Sequence, residues 1–181
     1  MSIVLTILGI IASIIVLLLV AAAFMKKEYS VEREIVINKP KRDTFDYIRI
    51  LKNQNHYNKW WTMDPNAKKE FIGTDGTVGF IAAWDSQHKQ LGKGEQEIKR
   101  INDGDSINSE IRFVRPFEGV ADVYMATTAI NNDQTKLRWT FNGKNKYPMN
   151  LMNSVIGKML GKDLEISINN LKTAIEKNQA R

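Results

Sequence analysis

The chain holds two histidines, His56 and His88, and no cysteine. Imidazole is the side chain best suited to metal ligation and proton transfer near neutral pH. His56, however, sits in an aromatic stretch and His88 in a polar turn. Two isolated histidines make a poor metal site, so packing or surface roles are expected and no metal is. The lack of cysteine excludes disulfides, thiolate metal sites, a cysteine nucleophile and a lipid-modified cysteine. No Gly-x-Ser-x-Gly elbow is present. Gly73-x-x-Gly76-x-x-Gly79 is no dinucleotide fingerprint, because no helical pattern follows it. Gly92-x-Gly94 falls inside a strand pattern, where glycine permits sharp sheet curvature. No nucleophile–base constellation emerges, and no cofactor is expected.

The elements that must position whatever chemistry exists fall into two parts. Residues 3–25 carry no charge, and all 26 Lys and Arg and all 20 Asp and Glu lie in residues 26–181. As a helix the apolar run would be roughly 35 Å long, sufficient to cross a bilayer core. Ala21-Ala22-Ala23 resembles a signal-peptide cleavage pattern. No Lys or Arg precedes the run, and it is longer than a usual signal core, which favours an uncleaved anchor. Lys26, Lys27, Arg33, Lys39, Lys41 and Arg42 follow it, so the positive-inside rule predicts a single-pass protein with its polar part in the cytoplasm. The net charge of +6 does not imply nucleic acid, since the basic residues are spread out without a reader motif.

Periodicity orders the polar part. Val31-Glu-Arg-Glu-Ile-Val-Ile-Asn38 alternates as a strand. Pro40 opens a helix over 42–51 on Phe45, Ile48 and Leu51, and a second helical piece follows over 53–61. Strand patterns then recur at 71–72, 78–84, 91–101, 107–114, 120–130 and 136–141, each closed by turn residues such as Asn102-Asp-Gly104. Leu160, Leu164, Ile168, Leu171 and Ile175 mark one face of a long C-terminal helix. Gly157 and Gly161 could bend it. The expected class is α+β: a curved antiparallel sheet of about seven strands covered by the last helix. The expected division is an anchor over 1–27 and one domain over 28–181.

This order, with Val31-x-Arg-x-Ile-x-Ile, Lys39-Pro40, Tyr57-Asn-Lys-Trp60-Trp61, Gly79-Phe-x-x-x-Trp84 and Gly92-Lys-Gly94-Glu-Gln96, resembles the START-like (SRPBCC) superfamily and its polyketide cyclase/dehydrase-like branch. The most specific stretch is Trp139-Thr-Phe-Asn-Gly143, Tyr147-Pro-Met-Asn-Leu-Met152, Gly161-Lys-Asp163 and Asn170-Leu-Lys172, which looks like a bacterial subgroup. The resemblance implies the helix-grip fold, with a cavity between the sheet and the last helix.

Alternation then selects wall residues for that implied cavity: Phe80, Ala82 and Trp84, Ile111 and Phe113, Leu137, Trp139 and Phe141. The helix would add Met152, Val155 and Met159, whose methionines suit irregular apolar ligands. Gln96, Ser109, Tyr124 and Thr127 could orient a polar ligand group or be satisfied locally. Glu95 and Glu97, alternating with Lys93 and Lys99, mark a solvated strand face. With the strand order of the family, Lys144, Lys146, Tyr147 and Phe117 fall at the bilayer end and are expected to meet the membrane surface. The expected function is binding of a hydrophobic small molecule or lipid by a membrane-anchored protein. A cyclase- or hydrolase-like enzyme using the same cavity, and an interaction module without a ligand, are the alternatives.

Overall fold

The computed structural model describes residues 2–177; residues 178–181, the end of the expected domain span, lie outside the described residues, as does Met1. Helix α1 (Ser2–Phe24) precedes strand β1 (Glu28–Ile37). Three short helices follow: α2 (Lys41–Ile48), α3 (Gln54–Tyr57) and α4 (Lys59–Met63), with a 3-10 turn at Leu51–Asn53. Strands β2 (Lys68–Ile72), β3 (Ile81–Asp85), β4 (Lys93–Asn102), β5 (Ser106–Arg115), β6 (Gly119–Asn131) and β7 (Gln134–Lys144) come next. A 3-10 turn at Met149–Met152 leads into α5 (Asn153–Lys177).

All seven strands form one antiparallel sheet in the order β1-β7-β6-β5-β4-β3-β2. The first strand closes on the last, with Glu28 opposite Lys144 and Ile37 opposite Thr135. Side chains alternate across β1 as strand geometry requires. Val31 and Ile37 are buried under α5, while Glu32 and Glu34 face outward to Arg138, Lys136 and Thr140. Leu164, Ile168, Leu171 and Ile175 bury the face of α5 that the periodicity marks. Together with Phe45, Ile48 and Tyr57 they form one continuous core against the sheet.

Two local expectations are corrected, and α5 adds a third detail. The helical piece over 53–61 divides at Asn58, whose side chain accepts a hydrogen bond from the Trp60 amide and starts a new helix. Gly157 and Gly161 both lie within α5, which runs on from Asn153 to Lys177, and Gly161 serves a close approach. It leaves room for the Arg33 guanidinium, whose Nη2 would stand 2.5 Å from a Cβ there. Gly92 lies in the turn before β4, while Gly94 lies at a register shift between β4 and β5. A Cβ at Gly94 would meet both the Arg112 carbonyl oxygen and the Trp84 ring at 2.7 Å, so this glycine permits a close approach.

Helix α1 is one helix long and apolar enough to cross a membrane, spanning Ile3–Phe24. Its side chains are exposed except at Ala22, which is 1% exposed. Asn150 Nδ2 donates to the carbonyl oxygens of Ala22 (2.7 Å) and Met25 (3.0 Å), and Asn153 Nδ2 donates to Lys26 O (2.9 Å). The Asn145 amide donates to Lys27 O at 2.9 Å. The last carbonyls of α1 and those of the link to β1 are thereby bound by the segment between β7 and α5. The junction is thus built by hydrogen bonds from side chain and backbone.

Candidate functional site

Between the sheet and the first turns of α5 lies a cavity of about 260 Å³. It sits at the end of the sheet where β1 begins. Strands β3 to β5 supply Trp84, Gln96, Ile111 and Phe113, and β6 and β7 supply Val123, Trp139 and Phe141. Ile156, Met159, Leu160 and Asp163 of α5 form the opposite wall, at helical spacing i, i+3, i+4 and i+7. Tyr29, Gln54, Asn58, Trp60, Trp61 and Leu91 close the sides. Gln90 and Met159 are exposed to solvent while lining the cavity, so they mark its mouth.

Six of the eleven expected wall residues therefore meet around one space: Trp84, Ile111, Phe113, Trp139, Phe141 and Met159. Phe80, Met152 and Val155 do not. Phe80 is 1% exposed and stacks on Phe71 with ring centroids 6.2 Å apart, in the filled part of the core. Ala82 and Leu137 are likewise closed in. Alternation identifies the inner face of a strand but not where along it the packing stops. Met152 precedes α5 in the 3-10 turn, and Val155 lies about a quarter turn around α5 from the lining face; both are exposed.

A chain of buried amides forms the polar side of the cavity. Asn58 Nδ2 donates to Gln54 Oε1 (2.6 Å), Gln54 Nε2 to Gln96 Oε1 (2.9 Å), and Gln96 Nε2 to Ser109 Oγ (2.7 Å). Gln96 meets the expectation from its strand position, whereas Ser109 is buried behind it and does not line the cavity. Gln54 and Asn58 were not foreseen; their signal was a polar pair at i, i+4 interleaved with Tyr57 and Trp61. Thr127, also foreseen, is buried but bonds to Gly104 O and lies off the cavity, and Tyr124 lies outside its lining. The Trp84 Nε1 donates to Leu91 O at 3.2 Å, which fixes the indole against the loop before β4.

Titratable groups at the cavity are few. The Tyr29 phenol is pushed up by burial, so it stays protonated at neutral pH. Asp163 is paired with Lys59 at the rim. Tyr57, fully buried beside Trp139 at 5.8 Å in an edge-on arrangement, is likewise raised by desolvation, which keeps its hydroxyl neutral. The Trp139 Nε1 is buried without a hydrogen-bond partner. His56 and His88 both lie away from the cavity, His56 beside the Tyr47 hydroxyl and His88 in the turn capped by Ser86. Among the described residues no cluster of three or more His, Asp or Glu could hold a metal ion. The arrangement can enclose an apolar body and offer it a small number of amide and hydroxyl contacts.

Comparison with solved structures matches this arrangement across most of the chain. Norcoclaurine synthase from Thalictrum flavum, in complex with dopamine and hydroxybenzaldehyde, superposes with a TM-score of 0.63 at 12% identity, over 85% of this chain and 90% of that one. The chain has the START-like helix-grip fold. Ara h 8.0201 shares this helix-grip fold at a TM-score of 0.60 and 13% identity, over 83% of this chain and 99% of that one. Aha1 from Colwellia psychrerythraea, solved as a dimer in solution, does so at 0.57 and 15%, over 84% and 99%. No protein-family model and no curated protein matches the chain. Helix α1 is an addition before the first strand of the helix-grip fold.

Proposed function

We propose that this chain is a membrane-anchored helix-grip domain that binds a hydrophobic small molecule or lipid without transforming it. The carrying observation is the cavity between the sheet and α5, walled by Trp84, Phe113, Trp139 and Phe141 and floored by a satisfied amide chain. The norcoclaurine synthase of the same fold was solved with two small organic molecules, which supports reading such a cavity as a binding site. The uncharged Ile3–Phe24 helix supports residence in a membrane, with Lys26 and Lys27 favouring a cytoplasmic domain over 28–181.

In this reading the end of the sheet beside α1 faces the bilayer. Lys144, Lys146, Tyr147 and Phe117 all lie at that end or in the turns leaving it, since Glu28 pairs with Lys144 and β5 ends at Arg115. Phe117 and Tyr147 are exposed there. The cavity occupies the same end, so an apolar ligand would pass between lipid and cavity over a short path.

A diazirine-tailed fatty acid tests this in the full chain reconstituted in nanodiscs. Illumination should attach the probe to peptides carrying Trp84, Phe113 and Met159. Adducts confined to α1 would overturn the ligand-binding reading.

A further inference from the structure

Asn150 is completely buried, and its Nδ2 binds the carbonyls of Ala22 and Met25 at 2.7 and 3.0 Å. The Ala22 carbonyl belongs to the last turn of α1 and that of Met25 follows the helix directly, both before the first charged side chain at Lys26. The 3-10 turn of Met149–Met152 is therefore level with the end of the apolar helix rather than beyond it. Ala22 is buried, although every other side chain over residues 3–24 is exposed. The exposed side chains around this contact are Tyr147 (48%), Met149 (51%), Met152 (43%) and Val155 (47%), flanked by Lys146 and Lys158. An aromatic, three apolar side chains and two cations at the end of a spanning helix match the composition of a bilayer interface.

We propose that the Met149–Met152 turn and the first turn of α5 are immersed in the bilayer interface, held at that depth by Asn150, so that the partner of this surface is lipid. The proposal rests on the anchor reading above and adds a fixed depth to it. It also gives Met152 and Val155, which do not line the cavity, a role. Their place beside Ile156 and Met159 puts the helical wall of the cavity next to the lipid.

The chain has no cysteine, so single-cysteine variants of the full protein in nanodiscs carry one fluorophore each. Labels at Met149→Cys and Met152→Cys should be quenched by nitroxide lipids at least about threefold more strongly than one at Ile130→Cys, near the β6–β7 turn at the opposite end. A label at Leu17→Cys reports the anchor itself. Quenching at Leu17 with none at Met149 or Met152 overturns immersion and leaves the anchor reading standing. No quenching at Leu17 overturns both. A label at Met152 shielded from nitroxide lipid and aqueous iodide alike would assign the face to a protein partner and overturn the proposal. With Asn150→Ala added, quenching at Met152 should fall about twofold and that at Leu17 should not change; unchanged quenching at Met152 removes Asn150 from the role given to it.

Discussion

Asn150 and Ala22, 128 positions apart in sequence, meet through a 2.7 Å hydrogen bond from side-chain amide to helix carbonyl. A second bond from the same amide to Met25 O makes Asn150 a cap supplied from outside the helix it terminates. The junction between α1 and the sheet is thus part of the folded structure, and the direction in which the domain leaves α1 follows from side-chain geometry.

Removing that cap should loosen the junction. Asn150→Ala loses both bonds and leaves the Ala22 carbonyl only the Met25 amide at 3.3 Å, a cost of about 1–2 kcal/mol, or roughly tenfold in local opening. Trypsin cleavage after Lys26 and Lys27 in the detergent-solubilised chain should accelerate by about that factor. An unchanged cleavage rate would mean that other contacts fix the junction.

Gly94 admits the Trp84 indole to the cavity wall. Gly94→Ala would place a methyl against the Arg112 carbonyl and the Trp84 ring, both at 2.7 Å, and backbone can yield little. A loss of about 1–3 kcal/mol is expected in urea unfolding, with altered Trp emission as the indole is displaced. A stability equal to that of the parent would show that the strands separate freely at this register shift.

The outer sheet face predicts an opposite pH response in two proteins. Arg112 binds Glu95 (2.7 Å), Glu97 (2.8 Å) and Glu110, and the guanidinium lowers the Glu97 carboxyl below its usual range. Glu34, Asp64, Asp85 and Asp103 are lowered as well, chiefly by hydrogen bonds from Arg138, Ser86, Lys93 and Arg42 respectively. Groups held low in the folded state stabilise it fully above the ordinary carboxylate values near about pH 4, and the gain is lost as pH falls through the lowered values. The urea midpoint of the parent should therefore hold from pH 8 to 6 and decline below about pH 4. In Arg112→Met the Glu95, Glu97 and Glu110 carboxylates crowd with only Lys99, 3.2 Å from Glu97, as a counter-charge, and their mutual repulsion is relieved as protons bind. That variant should be less stable by about 1 kcal/mol at pH 7 and should regain midpoint as pH falls toward about 5. A parallel decline in both proteins would contradict the assignment.

The sheet, its order of turns and the buried face of α5 were legible because each depends on local period: Val31 to Ile37 at two, Leu164 to Ile175 near 3.6. The cavity was legible only by half. Alternation puts Phe80 and Trp84 on the same face, yet Phe71 fills the space over one and none fills it over the other. That difference arises from partners about ten residues away or more, which no period encodes. Gln54 and Asn58 escaped notice for a similar reason. Their role exists only because β4 brings Gln96 across from a helix 42 positions earlier.

Ligand occupancy decides the central claim, and native mass spectrometry of the full chain released from its own membranes reads it directly. The parent should carry a discrete apolar adduct. Ile111→Trp, which puts an indole into the open space beside Phe113, should fold with the same urea midpoint within about 1 kcal/mol and lose that adduct. A parent that flies without an adduct, or an Ile111→Trp variant that retains it, would contradict the account.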